Sequence, residues 1–230
     1  MPMSEDMRLL AAVYEESLRQ NGAVPQGVLW PNAADLAKRF QVLLEPALEA
    51  AAETGTVSLL DFGCGPGLML DFLAENGMAA TLDYTGVDML QPMVDAARRR
   101  WPQARFDVRD VRQAPFAPDS FDFVVACGAF TAKFGLGHED MAGLVTGTLE
   151  ALWPSVRRAL AFNVMSKHVD WERQDLFHWP LDDIAAFCKA KLSRHLCFRT
   201  DYGLWETTVI VRREPEPLRY VAPAVWTGAR

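Results

Sequence analysis

The chain has 230 residues, half of them hydrophobic and 23% charged, enough to bury one substantial core but short for two. A formal charge of −7 opposes a broad phosphate-binding surface, because nucleic-acid affinity rests on clustered Lys and Arg, so no nucleic-acid partner is expected. No apolar run approaches the roughly 18 residues of a membrane span, and the N-terminus MPMSEDMRLL is acidic where a signal peptide would be basic, so the expectation is a cytoplasmic protein with no membrane partner.

Residues 4–20 place acids first (Glu5, Asp6) and Arg19 near the end, carry Leu9, Leu10, Val13 and Leu18 at helical spacing, and stop at Asn21-Gly22, which predicts an N-terminal helix. After Gly27-Val28-Leu29-Trp30-Pro31, Asn32 can cap a second helix with Asp35 three residues on, and Pro46 is expected to kink or divide it. Strand and helix patterns then alternate. Strands are predicted at 56–62, 84–88, 104–109, 121–127 and 159–165, with helices at 67–76, 91–101, 138–153 and 181–192. Two last strands, 195–200 and 206–213, are joined by too few residues for a crossover helix and should pair antiparallel. The Arg98-Arg99-Arg100 run ends a helix, where cations suit the dipole, and is expected on a solvated face. The predicted fold class is α/β: a Rossmann-like, seven-stranded, mostly parallel sheet with an antiparallel last strand and helices on both faces. Three segments are expected: 1–54 as an N-terminal helical lid packed on the core, 55–213 as the α/β domain, and 214–230 as a proline-containing tail without clear period. The four cysteines (Cys64, Cys127, Cys188, Cys197) have no CxxC spacing, so no disulfide framework and no metal site are expected.

The strand at 56–62 runs directly into Gly63-Cys64-Gly65-Pro66-Gly67 and then a helix, so the glycines fall where a chain turns sharply and lets a ligand approach the backbone. A dinucleotide fingerprint needs G-x-G-x-x-G, but Leu68 or Leu70 stands at the third glycine, which disfavours NAD and FAD. No Gly-Lys-Ser/Thr closes the turn, which disfavours a nucleoside triphosphate. The remaining D-x-G-x-G-x-G pattern resembles the first motif of the class I S-adenosylmethionine-dependent methyltransferases, and the resemblance spans roughly residues 55 to 213.

That resemblance implies S-adenosylmethionine as cofactor. Gly63, Cys64, Gly65 and Gly67 would lie against its amino-acid part, with Asp61 supporting the ammonium group. Gly86-Val87-Asp88 ends the second strand about 20 residues on, where a carboxylate can accept from both ribose hydroxyls, and Met89 would offer adenine an apolar face. Arg109-Asp110-Val111 matches the adenine-binding position, Asp110 accepting from the amino group and the Val111 amide reaching a ring nitrogen; a turn cap is the other reading of Asp110. Cys127, Gly128 and Phe130, after the fourth strand, would border the methionine part and the sulfonium, with Cys127 a wall residue and not a nucleophile.

Ligands in open α/β sheets bind beyond the carboxyl ends of the strands, so a small-molecule acceptor is expected between the N-terminal helix with Trp30, the 130–138 loop and the 166–180 segment. His168 is a candidate base and equally a packing or surface histidine, and Tyr14, Trp30, Phe130 and Tyr202 are candidates for an aromatic wall. The expected activity is in-line methyl transfer to that acceptor. Two alternatives stand beside it. In the first, Asn163 and Tyr202 hold the cofactor's own amine against its γ-carbon, giving methylthioadenosine and azetidine-2-carboxylate as in cyclase relatives of this fold. In the second, the protein binds the cofactor without catalysis. The candidate catalytic residues are therefore Asn163, Tyr202 and His168, and no sequence feature bears on oligomeric state.

Overall fold

Strand β1 (Val57–Phe62) sends Val57 and Leu59 into one hydrophobic cluster and Leu60 and Phe62 into another, the period-2 alternation of a strand buried on both sides. The computed structural model describes residues 5–216; the part of the predicted tail at 217–230 lies outside the described residues. Around β1 lie β2 (Leu82–Asp88), β3 (Arg105–Val108), β4 (Phe121–Ala126), β5 (Val156–Met165), β6 (His195–Arg199) and β7 (Glu206–Arg212) in the order β3-β2-β1-β4-β5-β7-β6. All pairings among β1 to β5 are parallel, and β7 runs antiparallel to both β5 and β6. The sheet is the expected seven-stranded, Rossmann-like one, with six strands in one direction and the last reversed. Strand order turns back between β1 and β4, so a crevice opens at their carboxyl ends.

Helices α2 (Ala33–Thr54), α3 (Leu68–Glu75) and α4 (Gln91–Arg100) cover one face, and α5 (His138–Leu152) with α6 (Leu181–Lys191) cover the other. Asn32 caps α2 as expected, its side chain accepting from the Asp35 amide at 2.8 Å. Pro46 does not divide this helix, which continues to Thr54. A proline inside a helix costs about 3 kcal/mol, but Leu36, Phe40, Leu43 and Leu44 are all buried on the same stripe at about 1.5–3 kcal/mol each, so packing holds the helix together. The N-terminal segment is therefore two things. α2 is a core helix, whereas α1 (Glu5–Asn21) and the 25–32 connection roof the sheet's carboxyl edge.

The Arg98-Arg99-Arg100 run is exposed but not idle. Arg98 donates to the Phe106 carbonyl at 2.7 Å, and Arg100 donates to the Ala23 carbonyl and pairs with Asp71, tying α4 to β3, to the connection after α1 and to α3. No helix among the described residues is long and apolar enough to cross a membrane.

Candidate active site

The glycine loop is drawn onto the end of β2 by two hydrogen bonds, Gly63 and Cys64 amides to the Val87 carbonyl at 2.8 and 3.0 Å. Gly63, Cys64 and Gly65 line a cavity of about 750 Å³, within the roughly 300–1,000 Å³ usual for small-molecule sites. Gly67 does not line it. With φ +83° it turns the chain into α3, and a Cβ there would sit in ordinary contact with Trp101, Ala97 and Phe106, none of which lines the cavity.

Three carboxylates stand around this loop in different electrostatic states. Asp61 is buried and accepts from the Tyr84 hydroxyl at 2.6 Å; burial pushes its pKa up to about 7 despite that hydrogen bond. Asp88 accepts from the Gly65 amide at 3.0 Å and the Leu90 amide at 2.9 Å, and burial raises its pKa against the pull of those amides. The Met89 amide also acts on this carboxylate, which with about four acceptor positions keeps capacity for a hydroxyl donor. Asp110 is raised by burial but lowered further by hydrogen bonds from Arg112 and Gln113, and stays below the usual range. Its Oδ1 accepts from the Arg112 amide at 3.0 Å while the residue lines the cavity, so it is both a turn cap and a wall. Met89 and Val111 line the same wall.

Beyond the loop, the chain after β4 turns at Gly128, with φ +75° and a virtual Cβ only 2.4 Å from the Trp30 ring, so only glycine lets the roof close here. Cys127 and Phe130 line the cavity beside it, Phe130 stacked on Phe62 with centroids 6.0 Å apart. Burial, then the Glu206 carboxylate, push the Cys127 thiol well above its ordinary pKa, the opposite of an activated nucleophile. Tyr14 of α1 packs edge-on against Phe134, and burial with the Asp88 charge pushes its hydroxyl up to about 12.

A network missed by sequence reasoning braces this floor. Arg39 of α2 donates through Nε at 2.7 Å, and through Nη2, to Glu206 of β7; Asn163 of β5 donates to Glu206 and accepts from the Gly128 amide at 2.7 Å. Trp30 lies 3.9 Å above the Arg39 guanidinium. Arg39 and Glu206 line the cavity, and Arg39 Nη1 is buried without a partner among the described residues. The available signal was an arginine on the apolar stripe of α2, between Leu36 and Phe40 and Leu43.

The donor set fits an adenosyl ligand: a carboxylate with free capacity at the end of β2, a further one at the turn after β3, and a glycine cradle at the β1–α3 turn. Residues 59–155 match the family model described as "Methyltransferase domain". A Mycobacterium tuberculosis protein, Rv1506c, provisionally named a methyltransferase, is 32% identical over 160 residues, covering 68% of this chain and 93% of that protein. The chain belongs to the class I S-adenosylmethionine-dependent methyltransferases. S-adenosylmethionine is its cofactor. Two solved methyltransferases share the fold: magnesium protoporphyrin IX methyltransferase from Synechocystis with bound SAM (TM-score 0.60, 15% identity, 93% of this chain and 100% of that one), and 1,6-didemethyltoxoflavin-N1-methyltransferase of Burkholderia thailandensis (TM-score 0.57, 17% identity, 92% of each).

The methyltransferase does not bring the three candidate catalytic residues into its cavity. His168 is exposed and does not line the cavity, its contact being a backbone amide that donates to Ser166 Oγ. The Tyr202 hydroxyl bonds Thr208 Oγ1 at 2.9 Å and does not line the cavity, whereas Leu204 and Trp205, which follow it in the β6–β7 turn, do. Asn163 is fully buried beneath the floor, its amide committed to Gly128 and Glu206. Of the aromatic wall, Tyr14, Trp30 and Phe130 line the cavity and Tyr202 does not.

Proposed function

We propose that this enzyme transfers a methyl group to a small-molecule acceptor held in the same cavity as the cofactor, under the roof formed by α1 and the 25–32 connection. The observation that carries this reading is the continuity of the cavity. One space runs from the glycine loop and Asp88 past Gly128 to Tyr14, Trp171 and Trp205, so cofactor and acceptor sites share walls. Those walls are largely apolar and aromatic, as in sites for organic ligands, and the net charge of −7 gives no support to a polyanionic substrate.

Bound S-adenosylmethionine supplies an electrophilic methyl group on a sulfonium. The chain's own residues then divide the work. Asp88 would take the ribose hydroxyls, Asp110 and the Val111 amide would take the adenine edge, and Met89 would offer the ring an apolar surface. Gly63, Cys64 and Gly65 let the backbone approach the amino-acid end, Asp61 opposes its ammonium, and the unpartnered Nη1 of Arg39 is a donor for its carboxylate. Cys127, Gly128 and Phe130 bound the reacting centre, where alignment and exclusion of water are the protein's main contribution. The self-cyclising alternative draws no support, because Asn163 and Tyr202, on which it rested, are engaged elsewhere.

Product analysis tests the reading. The purified protein incubated with S-adenosylmethionine alone should accumulate no methylthioadenosine, and S-adenosylhomocysteine should appear only when an acceptor is added. Methylthioadenosine formed without acceptor would replace methyl transfer by the lyase reaction, and tight binding with no product from any acceptor would leave a binding protein.

A further inference from the structure

The segment Phe177-His178-Trp179 is clamped against the end of β5 and the turn after β4. The Met165 amide donates to the Phe177 carbonyl at 3.3 Å, the Trp179 amide to the Met165 carbonyl at 3.2 Å, and the Phe177 amide to the Thr131 carbonyl at 2.8 Å. Thr131 in turn bonds the Gly128 carbonyl through its hydroxyl at 3.0 Å, so this segment abuts the turn that bounds the reacting centre. Between these anchors His178 lines the cavity and is 4% exposed. Its Nδ1 lies 2.6 Å from the Ser166 carbonyl oxygen. A carbonyl can only accept, so Nδ1 carries the hydrogen and the neutral ring presents a bare lone pair at Nε2. Nε2 is buried and has no hydrogen-bond partner among the described residues. A buried acceptor left unmatched is destabilising, a cost that a ligand's donor would remove.

Resting on the small-molecule reading above, we propose that His178 is the proton acceptor of the reaction and that the acceptor is a planar aromatic molecule bearing an ionisable hydroxyl. The hydroxyl hydrogen meets the Nε2 lone pair. As the oxygen–methyl bond forms, the sulfur–methyl bond breaks with its electron pair left on sulfur as a neutral thioether, and the hydroxyl proton passes to Nε2. The ring becomes an imidazolium that keeps its Nδ1 bond to Ser166, and it later returns the proton to water. The ring class follows from the aromatic lining of the cavity, where Trp171 and Trp205 stand 71% and 65% exposed and Tyr14 and Phe134, packed edge-on against each other, line it as well. Tryptophans left open to water in a cavity wall are stacking surfaces for a flat ligand. The charged groups around His178 are Glu172, paired with Lys167 at 2.8 Å and held below its usual pKa mainly by that lysine; His138, against Phe177; and the Arg173–Asp175 pair and Asp170 on the cavity wall.

The test uses the full chain, wild type and His178→Asn, whose amide can keep the donor to Ser166 but has nothing at Nε2. Nitrogen NMR of the wild type with S-adenosylhomocysteine should show His178 protonated at Nδ1 and bare at Nε2. With 4-nitrophenol as the probe, the wild-type complex should show the visible band of the phenolate and H178N should not, while both bind S-adenosylhomocysteine within twofold. On a panel of phenols, kcat should fall about a hundredfold or more in H178N, and the acidic limb of the pH profile should disappear. A ring protonated at Nε2, identical nitrophenol spectra, or a wild type that binds none of the phenols overturns the proposal. The tautomer measurement needs no variant and stands if H178N fails to fold. Failure to bind S-adenosylhomocysteine would count against the methyltransferase reading of the cavity as a whole, whereas binding it with an Nε2–H ring overturns this inference alone.

Discussion

The two halves of the cavity are built in different ways. The half proposed for the cofactor consists of short stretches at the ends of consecutive strands, Asp61–Gly65, Asp88–Met89 and Asp110–Val111, held by backbone hydrogen bonds such as Gly63 and Cys64 to Val87. The half proposed for the acceptor is gathered from α1, the 25–32 connection, the segment after β5 and the residues before β7, connecting segments anchored by backbone hydrogen bonds such as Met165 to Phe177 and lined by side chains such as Trp30 and His178. Backbone-held sites depend on strand order, which many sequences can share. Sites lined by the side chains of connecting segments can vary residue by residue while the sheet stays as it is, which is how one fold serves many ligands.

The largest expected effect would break the brace between the halves. Glu206→Ala leaves Arg39 buried without its partner and frees Asn163 from β7, and should destabilise the protein by about 3–5 kcal/mol in denaturant unfolding. Replacing Arg39 and Glu206 together with Met and Leu should recover much of that stability while still weakening cofactor binding. If E206A unfolds like the wild type, the two halves are not mechanically joined through this pair.

Next comes Asp88→Ala, confined to the cofactor half. It removes the ribose acceptor and the partner of the Gly65 and Leu90 amides, and should raise the Kd for S-adenosylmethionine about tenfold to a hundredfold in calorimetry. An unchanged Kd would move the ribose elsewhere.

Asp61 gives a smaller, pH-graded effect. Its folded pKa is raised to about 7, so the carboxyl keeps a proton that the unfolded chain loses near pH 4. Its contribution to stability is therefore full below about pH 4 and lost as pH rises through about 7. Cofactor binding runs the other way, because the cofactor's ammonium requires the ionised carboxylate. Affinity should rise by up to about tenfold per pH unit toward pH 7 and then level off, and Asp61→Asn should flatten that slope. A wild-type affinity independent of pH between 5 and 7 would show that Asp61 is ionised throughout.

The smallest effect sharpens the division. Trp171→Ala and Trp205→Ala remove exposed aromatics of the cavity wall, and should leave the cofactor Kd within twofold while raising KM for an acceptor several-fold, the worth of about 1 kcal/mol of stacking. A weakened cofactor Kd would mean that these aromatics serve both ligands.

Much of the cofactor half is legible in the sequence because its residues are placed by local rules. A strand that alternates into two cores ends where its pattern ends, and the glycines after it mark the turn, so Asp61, Gly63, Gly65, Asp88 and Asp110 can be located by counting. Gly67 counts into the same motif, yet it faces α4, since which side of a turn a glycine serves depends on what packs behind it. The local cost of Pro46 predicts a break in α2, and the burial of Leu36, Phe40, Leu43 and Leu44 outweighs it.

The acceptor half is legible only as a neighbourhood. Both His168 and His178 lie in one aromatic, charged loop, and nothing in their sequence spacing separates an exposed ring from one pinned to the Ser166 carbonyl. Arg39 and Glu206 stand 167 positions apart, and their pairing exists only because α2 crosses the sheet beside β7. The sequence by itself determined the sheet and the carboxylates at the strand ends, because periodicity and turn chemistry are local, while the cofactor followed from the resemblance of the D-x-G-x-G-x-G motif to a known family. The tertiary structure decided which polar side chains are buried and partnered, because desolvation and hydrogen bonding depend on groups that only folding brings together.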